Sequence, residues 1–189
     1  VKNGHRQALT ELMVEKIVAS GAKPAAKPAA VDPNRWNIIS RDTGIQLQPT
    51  IKKGKFIVLM MQRNGGWSMK GLDVQEWAIQ TINRIRKHSD RPIVVRAHPG
   101  YKAAHQYLNH RTSRLAKMRG VRISEFGTPL EQDMHKAWAV VNHNSSSVVG
   151  PIIQGYHSFI TDSTNSQCSD VSHDDFHRLE TPKEFDREA

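Results

Sequence analysis

Three short stretches of the chain gather residues whose chemistry suits a phosphate. Residues 142–147 (NHNSSS) bring together Asn144 and three consecutive hydroxyls, Ser145, Ser146 and Ser147. Hydroxyls at a helix start accept from backbone N–H groups, and the helix dipole with the remaining amides favours an anion. An ordinary N-cap uses one such hydroxyl, so the triple serine reads either as a plain cap or as a phosphate site. Residues 62–69 (QRNGGWSM) supply Arg63, Asn64, Gly65 and Gly66. Paired glycines allow positive φ and close backbone approach to a ligand, and arginine holds a phosphate through two N–H groups. A tight turn beside a surface arginine is the plainer alternative. Residues 96–100 (RAHPG) supply Arg96 and His98. Pro99 drives His98 toward extended backbone, where a neutral ring donates to a phosphate oxygen and a protonated one neutralises it.

Other chemistries lack their spacing. No Gly-Lys-Ser/Thr follows the glycine pair as in a Walker A loop, and neither Gly-x-Gly-x-x-Gly nor a Gly-x-Ser-x-Gly elbow is present. Residues 173–177 (HDDFH) set His173 and His177 four apart with two aspartates between them. A zinc protease helix needs Glu in the second position and an amphipathic surround, so this stretch reads as a solvated surface helix and no metal site is expected.

Each of the three loops follows a β-rich apolar run: Lys55 to Gln62, Arg91 to Arg96 and Ala137 to Val141. Continuous apolar runs mark strands buried on both faces of a parallel sheet. The expectation is an α/β, Rossmann-like parallel sheet with flanking helices, whose ligand lies outside the carboxyl ends of the strands. All three loops then converge on one crevice. Asp73 and Glu76 announce a helix whose apolar face is Val74, Trp77, Ala78, Thr81, Ile82 and Ile85, with Arg84, Arg86 and Lys87 off it. A basic helix is expected from Lys102 to Arg119, burying Ala104, Tyr107 or Leu108, Leu115 and Met118. Further along come a short strand at Val121 to Ile123 and a helix from Pro129. A helical stretch over 148–155 and a strand at His157 to Thr161 complete the series. No periodicity is evident beyond Asp170.

At the front, Ala8 to Ala19 has helical spacing, and AKPAAKPAA reads as a semi-rigid linker. We therefore divide the chain into 1–31, helix plus linker, and 32–189, the α/β domain. Residues 32–50 form a lead-in with a turn at Asp42 to Gly44. The missing closing helix makes a truncated C-terminus the expectation.

The chain has 189 residues, a single cysteine (Cys168) and a net charge of +9. One cysteine excludes an internal disulfide and any multi-cysteine zinc site. No apolar run approaches the roughly 20 residues that cross a bilayer, and there is no secretory leader pattern. A cytoplasmic protein without a membrane partner is expected. Between Asp90 and Glu125 no acidic residue occurs, while eight Lys or Arg do. Lys102, Arg111, Arg114 and Lys117 are the candidate nucleic-acid contacts in that interval, since a one-sided basic field draws in polyanions. A surface that only keeps the protein soluble is the alternative.

The order of motifs resembles the donor half of GT-B glycosyltransferases: a Gly-rich loop, then His-Pro, then Asn-Ser-Ser-Ser, each closing a strand. His98-Pro99 and the serines look most like the capsule-polysaccharide and Kdo-transferase-like branch. QRNGGWSM with DRPIVVRAHPG is also similar to phage-encoded glycosyltransferases, some of which decorate hydroxymethylated bases in DNA. The resemblance spans about 35–189 and implies a domain that binds a nucleotide sugar such as UDP-glucose, without cofactor or metal. It also implies that Arg63, His98 and Ser145 to Ser147 hold the donor diphosphate. Gln154 stands where many of these enzymes carry Glu, and Gly155-Tyr156-His157 where they carry Gly-x-Pro. The acceptor half has no counterpart in residues 1–31. The resemblance implies transfer of a sugar to a hydroxymethylated base in DNA. Polysaccharide transfer and a non-catalytic nucleic-acid-binding role are the alternatives.

Overall fold

Five strands form one all-parallel sheet: β1 (Phe56–Met60), β2 (Ile93–Arg96), β3 (Val121–Ile123), β4 (Ala137–Asn142) and β5 (His157–Ile160). The computed structural model describes residues 34–187. Helices α1 (Asn34–Thr43), α2 (Val74–Arg86), α3 (Lys102–Leu108), α4 (Leu130–Met134) and α5 (Val149–Ile153) accompany the strands. The expected helix at 8–19 and the linker after it lie outside the described residues. The chain divides into two compact units, with the boundary after Thr43. In the first unit the described part is α1, which buries none of its residues. The sequence suggested only a turn there. A helix without an apolar face leaves no periodic signal, and the turn survives as Gly44, which takes φ +72° just past the helix end.

The sheet order is β3-β2-β1-β4-β5. This is the Rossmann-like arrangement that the apolar runs called for. β1 is central, and its side chains alternate between two apolar layers. Ile57 and Leu59 pack with Trp77, Ile82, Ile93 and Phe159, while Val58 and Met60 pack with Met134, Val140, Val148 and Ile152. Each such side chain contributes about 1.5–3 kcal/mol by leaving water. Helix α2 buries every residue of its expected face. Its end is closed by Arg86, which donates to the carbonyls of Ser89, Arg91, Arg119 and Gly120.

The single long basic helix is not formed. Helix α3 stops at Leu108, and only a 3₁₀ turn, Leu115–Lys117, follows. Asn109 to Ser113 turn to local partners instead: His110 Nδ1 meets Thr112 Oγ1 at 2.7 Å, and Ser113 Oγ accepts from the Ala116 amide. Short polar side chains that bond their own backbone compete with helix. Arg111, Arg114 and Lys117, three apart, would also repel along one helix face.

The C-terminal stretch seals the far end of the sheet without a helix. His173, expected on a solvated surface helix, is buried, and its backbone forms a parallel bridge to Phe159. Helical structure there is limited to a 3₁₀ turn, Phe176–Arg178, capped by Asp175. Glu180 receives Arg91 through Nε and Nη2, and Arg91 also stacks 4.8 Å from the Trp138 ring centroid. Trp138 Nε1 donates to the Leu179 carbonyl at 2.7 Å. Tertiary contacts of this kind carry no sequence period, which is why the stretch looked featureless.

Two buried rings staple the margins of β5. His157 Nε2 donates to the Ile51 carbonyl at 2.9 Å, and His173 Nε2 to the Lys183 carbonyl at 3.1 Å. Burial, ahead of any charge, holds both imidazoles below their ordinary value. The unfolded chain therefore takes up these protons first. Their contribution to stability is complete above about pH 6.5 and is lost as pH falls toward the lowered values. We expect the melting temperature to drop between pH 7.5 and 5.5, and the drop to shrink in a His157→Gln, His173→Gln variant. Thermal unfolding followed by circular dichroism checks both.

Candidate functional site

The chain reverses its winding between β1 and β4, the point where loops leaving the carboxyl ends of adjacent strands diverge. The loops after β1, β4 and β5 meet there around one carboxylate. Asp162, directly after β5, accepts from Asn144 Nδ2 at 3.0 Å and from Asn165 Nδ2 at 2.8 Å. Asn144 Nδ2 also donates to the Ser68 carbonyl, and Asn144 Oδ1 accepts from Gln62 Nε2 at 2.9 Å. Burial by itself would raise the Asp162 carboxyl. The bonds from Asn165 and Asn144, with the charges of Lys70 and His143, hold it below the usual carboxylate value instead.

A second chain of hydrogen bonds runs beneath. Trp77 Nε1 donates to Thr161 Oγ1 at 2.9 Å, and the same hydroxyl lies 2.7 Å from His143 Nδ1. His143 Nε2 lies 3.8 Å from Asp162. Burial, partly opposed by Asp162, keeps this ring below its ordinary value.

The residues expected to contact phosphate divide into three groups. Arg63 and Ser146 are exposed on the loops after β1 and β4. His98 is half-buried after β2, and its Nδ1 accepts from the Gly100 amide at 3.0 Å, leaving Nε2–H as the donor. Burial and then the charge of Arg63 lower the His98 value. Ser145 and Ser147 are engaged with each other: Ser145 Oγ accepts from the Ser147 amide and lies 2.8 Å from its hydroxyl. Three candidates serve as scaffolding. Asn64 Oδ1 accepts from the Val74 amide and its Nδ2 donates to Asp73, completing the N-cap of α2, where Asp73 itself accepts from Gln75 and Glu76. Asn144 is spent on the Asp162 knot. Arg96 pairs with buried Asp133, which also accepts from Ser124. Gly65 takes φ +71° and needs glycine's freedom, whereas Gly66 stays at −72°.

Two features escaped the sequence reading. Asp162 lies in Thr-Asp-Ser-Thr-Asn after the last strand, a polar loop at a strand end like the other three. Between the loops after β1 and β4 runs a groove of about 430 Å³, lined by Gln62, Trp67, Lys70, Asn144, Ser146 and Gln167 among others. Trp67, an aromatic amid turn residues, was the available signal. A smaller cavity of about 220 Å³ opens between the ends of β2 and β3, where His105 lies edge-on to Phe126. Among the described residues no group of three or more His, Cys, Asp or Glu could hold a metal. No helix of the described residues is long and apolar enough to cross a membrane.

Lys102, Arg111, Arg114 and Lys117 are all exposed in α3 and the segment after it. Arg114 pairs with Glu76 at 3.1 Å. Arg91 and Arg96, from the same basic interval, are committed to Glu180 and Asp133.

No protein-family profile and no curated protein matches the chain. Among solved structures it is similar to the beta Kdo 2,4 transferase KpsC of Thermosulfurimonas dismutans, at 13% identity over 78% of this chain and 52% of that one, with a TM-score of 0.44. The chain spans about half the length of that protein.

Removing the knot tests its weight. Asp162→Ala leaves Asn144 and Asn165 without their acceptor, and bonds to a charged group contribute about 1.5–3 kcal/mol each. We expect the variant to lose about 2–3 kcal/mol by urea denaturation and to show faster hydrogen exchange in the loops after β1 and β4.

Proposed function

We propose that the unit from Gly44 onward is the donor-binding domain of a nucleotide-sugar-dependent glycosyltransferase. What supports this reading is a doubly wound sheet whose winding reverses between β1 and β4, the place where such sheets bind nucleotides, with exposed Arg63 and the serine loop on the loops that leave those two strands and His98 after the neighbouring β2. The order of motifs in the sequence supports it. In transfer, the acceptor oxygen bonds to the anomeric carbon as the bond from that carbon to the diphosphate oxygen breaks. Negative charge then builds on the departing nucleotide diphosphate. Arg63, the His98 Nε2–H and the Ser146 hydroxyl are the groups we assign to stabilise it, a task that positioned donors perform without reorganisation. The base that takes the acceptor proton is not among them.

Calorimetry with UDP and UDP-glucose tests the assignment. We expect saturable binding to the wild type and at least tenfold weaker binding to a His98→Ala, Ser146→Ala variant, the loss of two hydrogen bonds to an anion. A folded wild type that binds none of UDP, CDP, GDP and CMP would sink the proposal.

For the acceptor we favour a hydroxymethylated base in DNA, because the exposed Lys102, Arg111, Arg114 and Lys117 present positive charge without acidic residues nearby in sequence. Phosphate contacts make affinity fall with salt at a log–log slope of about −0.9 per contact. Arg111→Ala with Arg114→Ala should therefore make the slope shallower by roughly 2. Unchanged affinity and slope would transfer the role to a polysaccharide, the acceptor that the mostly amide and hydroxyl lining of the groove favours.

A further inference from the structure

Trp67 is 99% exposed, although it belongs to a turn held in one place. The 3₁₀ turn Trp67–Met69 is pinned by fully buried Met69 and by the bond from Asn144 Nδ2 to the Ser68 carbonyl. It closes through Lys70, a non-glycine residue at φ 48°, φ ψ space that costs a side chain about 1–2 kcal/mol. Backbone strain of this kind persists where the surroundings over-determine it, and it concentrates at ligand sites. A large aromatic fixed in water buries nothing in the folded chain. Its face is available to something else.

The groove beside it indicates what. The other lining residues are amides and hydroxyls, Gln62, Asn144, Asn165, Gln167, Ser68 and the serine loop, with Lys70 the one charged residue. The Lys70 ammonium lies 3.8 Å from Asp162, so that charge is already answered. Neither Arg63 nor His98 lines this groove. Gln62 is nine-tenths buried, and its Oε1 has no donor among the described residues. A buried acceptor without a donor costs about 1–3 kcal/mol. A ligand hydroxyl relieves that deficit when the amide turns toward the groove.

A fixed π-face beside amides and hydroxyls, with little net charge, matches a pyranose ring. One face of such a ring presents C–H groups with partial positive charge, which complement the negative face of an indole, while its rim presents hydroxyls to the amides. A phosphodiester would need cations that this groove lacks. We propose that a pyranose ring stacks on Trp67 and is held at its rim by the Gln62 side of the groove. The ring belongs either to the donor sugar or to a saccharide acceptor. This deepens the donor-domain reading but its core requires no nucleotide.

The test follows the indole N–H signals of Trp36, Trp67, Trp77 and Trp138 in ¹⁵N-labelled protein, with Trp67 assigned by its loss in Trp67→Phe. The probes are UDP, UDP-glucose and the methyl glycosides of glucose, galactose and mannose. The expected result is a saturable shift of the Trp67 signal while buried Trp77 and Trp138 stay still. A shift with a methyl glycoside assigns a free saccharide, and one with UDP-glucose but not UDP assigns the donor sugar. Trp67→Ala, which removes no internal packing, should weaken that binding at least fivefold, and Trp67→Phe should retain most of it. A Trp67 signal unmoved by every sugar, or equal binding by Trp67→Ala, overturns the proposal. So does a response to single-stranded DNA only, which would make the ring a base-stacking surface. A Trp67→Ala change in sedimentation without any sugar response would make it a protein contact and overturn it as well. Failure to bind any of UDP, CDP, GDP and CMP while a methyl glycoside moves Trp67 would remove the donor-domain reading and leave this one standing.

Discussion

A carboxylate withdrawn from water must be met by donors, and Asp162 meets its donors on two different loops. Asn144 comes from the loop after β4 and Asn165 from the loop that Asp162 itself begins. Through Asn144 the same knot reaches Gln62 and the Ser68 carbonyl on the loop after β1. Moving any one loop would strand a buried polar group, so the three keep one spacing. The crevice at the switch point is the space left between loops fixed in this way. A site with that much internal hydrogen bonding is organised before a ligand arrives, and little ordering cost remains at binding.

That constraint also explains how the crevice is divided. Arg63 and His98 stand on the loops after β1 and β2. On the β1–β4 side the one charged side chain faces Asp162, and the remaining surface is amide, hydroxyl and indole.

The far end of the sheet obeys the same economy of polar groups. Gly54 approaches the Trp138 backbone so closely that an added Cβ would lie 2.3 Å from its Cα. Gly155, at φ +87°, would set a Cβ 2.2 Å from the Pro49 carbonyl oxygen. These contacts let the lead-in and C-terminal stretches lie against the sheet margin, where Arg91, Glu180, His157 and His173 satisfy the carbonyls and carboxylates brought together. Stability there rests on tertiary hydrogen bonds and buried neutral rings rather than on another helix.

The strands, the helix α2 and the meeting of the loops after β1 and β4 were legible in the order of residues. Burial on both faces demands an unbroken apolar run, and a one-sided helix demands a 3.6-residue period, so both leave a local record. Asp73 capping α2 was legible for the same reason, since a cap and its amides are neighbours in sequence. The roles of Asn64, Asn144 and Arg96 were not. Each is a polar side chain on a loop, equally able to face a ligand or a neighbour, and the choice was made by Val74, Asp162 and Asp133, which lie 10, 18 and 37 residues away. Trp67 shows the converse. Composition favours burying a tryptophan, and only the packing of Met69 beneath the turn leaves this one in water. Local periods thus settled the architecture, whereas the division of polar residues between scaffold and site depended on partners that folding alone brings within hydrogen-bonding distance.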